Sequence, residues 1–197
     1  MFRINIVLKG LALITVFLMI PLCASSDEQA GFAPVPRTGQ ITCYDDSGNS
    51  INCKGTGQDG ECPKGITWPN PRFTDHGNGT VTDNLTSLIW TKDAQQIKGT
   101  MKWKDASTVC KNSDWAGYTD WRLPNVKELL SLIDYGEHDP ALPSGHPFKN
   151  VQFIFYWSNT TYDAITNHAW GVYVCNGYAY NYHKVTDAFV WPVRSGM

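Results

Sequence analysis

The chain has 197 residues, with 16 Lys+Arg against 18 Asp+Glu for a formal charge of −2, 42% hydrophobic residues and eight Trp. No run of Lys or Arg occurs, and Lys102, Lys104 and Lys111 are the nearest thing to a cluster. That argues against a nucleic-acid or densely sulfated partner, which calls for a basic patch.

Residues 1–26 read as a signal peptide. Arg3 and Lys9 form a charged start, Leu11 to Leu22 is an apolar run broken only by Thr15 and Pro21, and Ser25 or Ser26 meets the small-residue rule for cleavage. The run is short of the ~20 apolar residues of a membrane span, so no transmembrane segment is expected after cleavage. Lipidation at Cys23 is disfavoured by the bulky Leu22 before it. Loss of Arg3 and Lys9 leaves 14 Lys+Arg against 18 Asp+Glu, a formal −4. The roughly 170 residues that remain suffice for one domain with a sizeable core. A secreted, periplasmic or cell-surface location follows.

Residues 27–70 are rich in Gly, Pro and polar residues and read as an irregular N-terminal segment, either a spacer or a small flap on the main domain. Cys43 and Cys53 flank the turn-rich Asp45, Asp46, Gly48 and Asn49, which predicts a hairpin clasped by one disulfide. Of the remaining exported cysteines, Cys62, Cys110 and Cys175, at least one lacks a partner within the chain, because five is odd. None of the spacings is a Cys-x-x-Cys pair, and His76, His138, His146, His168 and His183 are scattered, so a zinc site is not expected.

The main domain begins near residue 71. Asn78-Gly79 predicts a two-residue hairpin turn between Phe73–Asp75 and Thr80–Thr82, and the chain turns again at 84–87 into Leu88–Thr91. Asp75, Asn78, Asp83 and Asn84 carry oxygens that suit calcium, but the spacing is not that of an EF-hand loop, and Asp and Asn favour tight turns without any ion. No cofactor is expected; calcium is the one candidate. Trp103, Ala106 and Cys110 recur at helical spacing and predict a helix over 102–112 with Cys110 facing the core.

The clearest signal is Asp120 to Gly136. Asn125 is placed as an N-cap with Glu128 three residues on, a capping box, and Val126, Leu129, Leu130 and Ile133 form an apolar stripe. Gly136 is expected as a left-handed stop. Arg122 suits either an anion contact or a local pair with Asp120 or Asp134, and such forks are more often structural. Residues 137–155 form a long connection through Pro140, Pro143, Gly145 and Pro147.

The last third predicts strands at Tyr156–Ser158, His168–Val174, Tyr178–Lys184 and Phe189–Val193, with Asn176-Gly177 as a hairpin turn and Trp170, Val172 and Val174 pointing inward. Tyr178, Tyr180 and Tyr182 share one face beside Tyr173. Period two leaves open whether that face is cross-strand packing, the commoner role, or a ligand platform. The high aromatic content, 13%, has the same two readings: core fillers or sugar-stacking surfaces.

Asp120-Trp121-Arg122-Leu123-Pro124-Asn125, with Glu128-Leu129, resembles the Lcl C-terminal domain family, named after the terminal domain of a bacterial collagen-like adhesin. Phe73-Thr74-Asp75, Gly79 to Asn84, Leu88-Ile89-Trp90, Tyr156-Trp157-Ser158, Ala169-Trp170 and Val193-Arg194 match the same pattern, over about 70 to 195. The resemblance implies an α+β, C-type-lectin-like fold with two short helices, antiparallel hairpins and long irregular loops, on a secreted or surface domain. It also implies glycan or glycosaminoglycan binding as the role of the named member. Where that pattern suggests a cysteine partner for Cys110 near the final Val-Arg, this chain has Trp191-Pro192-Val193.

Arg-Leu-Pro ahead of an acidic helix is also similar to formylglycine-generating proteins, but the close catalytic cysteines are missing and Ser158 lies in no nucleophile elbow. The expectation is therefore not an enzyme. It is an exported binding module for a glycan or surface protein, with Tyr173, Asn176, Tyr178, Tyr180 and Tyr182 as candidate contacts. A structural envelope domain without a small ligand is the alternative. Oligomeric state is not readable from the sequence.

Overall fold

The computed structural model describes residues 35–196; the expected export segment 1–26, with Cys23, lies outside them. In chain order the elements are β1 (Cys43–Tyr44), β2 (Ser50–Ile51), β3 (Phe73–Asp75), β4 (Thr80–Asp83), β5 (Ile89–Thr91), α1 (Trp103–Lys111), α2 (Val126–Ser131), β6 (Phe155–Thr161), β7 (His168–Tyr173), β8 (Tyr178–His183) and β9 (Val193–Arg194). They build an α+β fold of three antiparallel sheets ordered β1-β2, β3-β4-β5-β9 and β6-β7-β8. No described helix is long and apolar enough to cross a membrane.

The capping box forms as its local chemistry dictates. Asn125 Oδ1 accepts from Glu128 N, and Glu128 Oε2 accepts from Asn125 N. The same carboxylate receives both guanidinium nitrogens of Arg122 at 2.7 Å, so Arg122 is structural, but its partner is Glu128 rather than Asp120 or Asp134. Asp120 is taken by Arg194. The helix ends at Ser131, five residues before Gly136, because Leu132 and Ile133 turn their N–H groups to the carbonyls of Leu129 and Leu130. Gly136 is not left-handed. A Cβ there would stand 3.0 Å from the Gly39 carbonyl, so this glycine serves close approach of the N-terminal segment.

Alternation along β6 divides the core. Tyr156 joins Val172, Val174, Leu129, Leu132, Ile133, Trp90 and Trp191 in one cluster, while Phe155 and Trp157 join Ala106, Cys110, Leu123 and Ala169 in the other. The β6-β7-β8 sheet therefore lies between α2 on one face and α1 on the other. Trp90, Trp121, Trp157 and Trp191 are fully buried, so these tryptophans are core fillers. Trp170, expected to point inward, is half-buried and edges onto Tyr162.

Both predicted two-residue turns are longer. Residues 76–79 link β3 to β4, with Gly77 and Gly79 both at positive φ and Asn78 Oδ1 accepting from Thr80 N. Residues 174–177 link β7 to β8, where Gly177 N donates to Tyr173 O. The expected final strand over 189–193 shrinks to β9, since Pro192 has no N–H to donate. Val193 instead exchanges backbone bonds with Arg122, tying the chain end to the entry of α2.

The N-terminal segment is a docked flap. Cys43 and Cys53 form the expected disulfide, with Cα atoms 5.2 Å apart, and Gly60 packs where a Cβ would strike both sulfurs. Cys62 is also disulfide-bonded, whereas Cys110 and Cys175 are free thiols. Tyr135 N donates to Thr38 O, and Trp68 Nε1 to Arg37 O. Arg72 pairs with the buried Asp83 and also donates to Ser131 O, so one guanidinium joins the β3-β4 hairpin to α2.

Candidate ligand-binding surface

Pairing across β7 and β8 fixes which side chains share a face, because directly opposed residues point the same way. Tyr173 opposes Tyr178, Gly171 opposes Tyr180, and Ala169 opposes Tyr182, while β6 adds Phe155 and Trp157. All the candidate tyrosines thus lie on the α1 side of the sheet. The helix covers only part of that side. Tyr178 and Tyr180 are 57% and 43% exposed, whereas Tyr173 and Tyr182 are half-buried against the core.

The rings form a graded row. Tyr178 and Tyr180 lie nearly parallel, with centroids 5.9 Å apart. Tyr180 meets the edge of Tyr182 at 5.6 Å, and Tyr182 rests on Phe155 at 4.7 Å. Phe155 reaches this position because Gly171 has no side chain; a Cβ there would come within 2.4 Å of the ring. The hydroxyls of Tyr173 and Tyr182 are hydrogen-bonded to each other. That bond, helped by burial, pushes the Tyr173 phenol up to about 12, so it is neutral at physiological pH.

Beside the row runs a groove of about 450 Å³, lined by Ile154, Phe155, Tyr173 and Tyr182 together with Thr100, Thr186, Asp187 and Ala188. Its apolar rings and the exposed Thr186 and Asp187 give it both stacking surface and acceptors. Asn176 is exposed at the end of the row. Its Oδ1 accepts from Tyr178 N, which shapes the turn, and its amide nitrogen has no partner among the described residues. Ile154, Phe155, Thr186 and Asp187 were not legible as site residues, because they come together only through the 154–174 and 157–189 backbone bonds. Of these, only Ile154 and Phe155 had a one-dimensional trace, as the end of the long 137–155 connection.

The oxygen-bearing residues of the first hairpin are otherwise engaged. Asp75 accepts from Gly77 N and pairs with Lys92, Asn78 accepts from the main chain and hydroxyl of Thr80, and Asp83 is sealed against Arg72, Leu85 N and Thr86. Asn84 bridges Thr74 and the Pro71 carbonyl. Turn and ion-pair chemistry thus accounts for these oxygens. No group of three or more His, Cys, Asp or Glu side chains is placed to hold a metal among the described residues. Ser158 is buried and donates to the Trp170 carbonyl, a structural use.

Fold and surface together define a small antiparallel α+β module that presents an aromatic strand beside a groove. The chain belongs to the Lcl C-terminal domain family, whose model matches residues 79–194, from the first hairpin turn to β9. No curated protein matches the chain.

Proposed function

We propose that this protein is an exported or cell-surface, non-catalytic module that binds glycans through Tyr178 and Tyr180, with Tyr173, Tyr182 and Asn176 completing the contact. The observation that carries the reading is the pair of near-parallel, half-exposed tyrosine rings on β8 next to the groove. Flat apolar rings stack on sugar C–H faces, while a short amide and a carboxylate meet hydroxyls. The formal −4 of the chain without its leader favours a neutral or weakly charged glycan over a dense polyanion.

A glycan-array screen of the exported protein, with and without calcium, followed by titration of Tyr180→Ala, tests the proposal. The variant is expected to lose about 3- to 10-fold in affinity, the worth of one aromatic contact, with an unchanged melting temperature. Failure to bind any glycan would favour a structural envelope role. A large loss of stability in Tyr180→Ala would assign the ring to the core.

A further inference from the structure

The strand that carries the exposed tyrosines is also an uncovered sheet edge. β8 is the last strand of its sheet, and among the described residues none of its backbone groups bonds to a further strand. The other edges of the two larger sheets are protected. β3 is three residues long and carries Asp75, ion-paired to Lys92. β9 exchanges bonds with Arg122, and β6 is covered by bonds between Trp157 and Phe189 and between Asn159 and Pro124. By contrast β8 runs six residues in unbroken register with β7, free of proline, bulge and formal charge from Tyr178 to Tyr182. Proteins blunt edges of this kind unless something pairs with them.

We propose that the partner is a second copy of this chain, added antiparallel along β8 with its two-fold axis at Tyr180. Side-chain parity selects this register, since a slip of one residue would oppose the tyrosine face of one copy to the other face of its neighbour. With the axis at Tyr180, that residue faces its own equivalent, Tyr178 faces Tyr182 of the second copy, and Ala179 faces Asn181. Axes at Ala179 or Asn181 keep the parity but form fewer tyrosine pairs, and the latter sets Lys184 against Tyr178. Cross-strand aromatic pairs stabilise a ladder. The strand residues Tyr178 to Tyr182 carry no formal charge, so in the chosen register no like charges meet across the ladder.

One sheet of six strands results, with the tyrosines of both copies on a continuous face. The contact is one strand wide, below the usual size of a stable interface, so the dimer is weak. If the glycan reading also holds, pairing doubles the platform and raises avidity for a repeating polymer rather than for a single sugar.

Sedimentation equilibrium from about 10 μM to about 1 mM should show the mass moving from monomer toward dimer. Register is tested in a Cys175→Ser background, which removes the half-exposed thiol and leaves the buried Cys110 as the free cysteine among the described residues. Facing residues of antiparallel strands have Cα atoms about 4.5 to 5.5 Å apart, within disulfide range. Under mild oxidation Tyr180→Cys should cross-link to itself. Tyr178→Cys and Tyr182→Cys should cross-link only when mixed, with at least about 10-fold more dimer than either alone. A protein monomeric to about 1 mM, or cross-linking with no preference for these pairs, would overturn the proposal. No sugar enters any arm, so that failure leaves the glycan reading standing, and a blank glycan array leaves the dimer standing.

Discussion

Replacing Arg72 by leucine attacks the tie between the first hairpin and α2. The guanidinium gives Asp83 two bonds, at 2.8 and 3.1 Å, and the Ser131 carbonyl a third at 2.7 Å, and it lies 4.8 and 5.0 Å over the rings of Trp68 and Phe73. Asp83 is wholly buried. Leucine restores apolar volume but leaves a buried carboxylate without its counter-charge, a loss of about 3 to 5 kcal/mol. At about 2 to 4 °C per kcal/mol for a chain of this size, the melting temperature should fall by roughly 6 to 20 °C. Asp83→Asn strands the guanidinium instead. In the double variant Arg72→Leu/Asp83→Asn neither charge is buried, and the Asn carbonyl still receives Leu85 N. Its loss should therefore undercut the sum of the single losses by about 2 to 3 kcal/mol. Urea unfolding followed by circular dichroism supplies all the values. A loss below about 1 kcal/mol in Arg72→Leu, or strict additivity in the double variant, would refute the role given to this pair.

Leu129→Ala and Ile133→Ala remove side chains that are 1% and 3% exposed and should each cost about 2 to 5 kcal/mol in the same assay. Two carboxyls should respond to pH in opposite senses. Burial raises Glu128, but the bonds from Arg122 and from Asn125 N–H outweigh it and hold the group below its ordinary value. Its contribution is present at neutral pH and lost as pH falls through that lowered value, so Glu128→Gln should cost stability at pH 7 and progressively less as the medium is acidified. Burial, with Glu137 nearby, raises Asp134 despite the bond from Gly136 N. Its native proton is held more tightly than in the unfolded chain, so stability falls as pH climbs through the raised value. Asp134→Asn should then be more stable than the wild type at pH 7 and equal to it at about pH 3; the reverse order would refute the assignment.

What was legible in the sequence was local. The capping box at Asn125 and Glu128, the α1 spacing of Ala106 and Cys110, and the Cys43–Cys53 clasp each depend on residues within about one or two turns of chain, and all three form. Ion pairs were less legible because their partners are remote: Asp120 stands two positions from Arg122 yet takes Arg194, 74 residues away. Turn lengths were less legible, because a second glycine at 77, and the bond from Gly177 to Tyr173, allow wider loops than the two-residue signals imply. The tyrosine row followed from period two, but its side of the sheet and the groove beside it did not. Both depend on α1 packing over β6 and leaving Tyr178 and Tyr180 of β8 exposed.

The turn that holds Asn176 rests on the core itself. A Cβ on Gly177 would come within 2.5 Å of Ile133, and beneath the tyrosine row Phe155 fills the space left by Gly171. The hairpin is therefore braced at its turn and at mid-strand, and whatever settles on it has little motion to freeze out. Association should cost almost no ordering entropy in the protein, and affinity should follow the contacts made rather than the state of the loop. The same bracing runs in the other direction. A volume change at Ile133 or Phe155 should reach the exposed rings as a displacement, so the character of the surface is set partly by residues that never meet solvent.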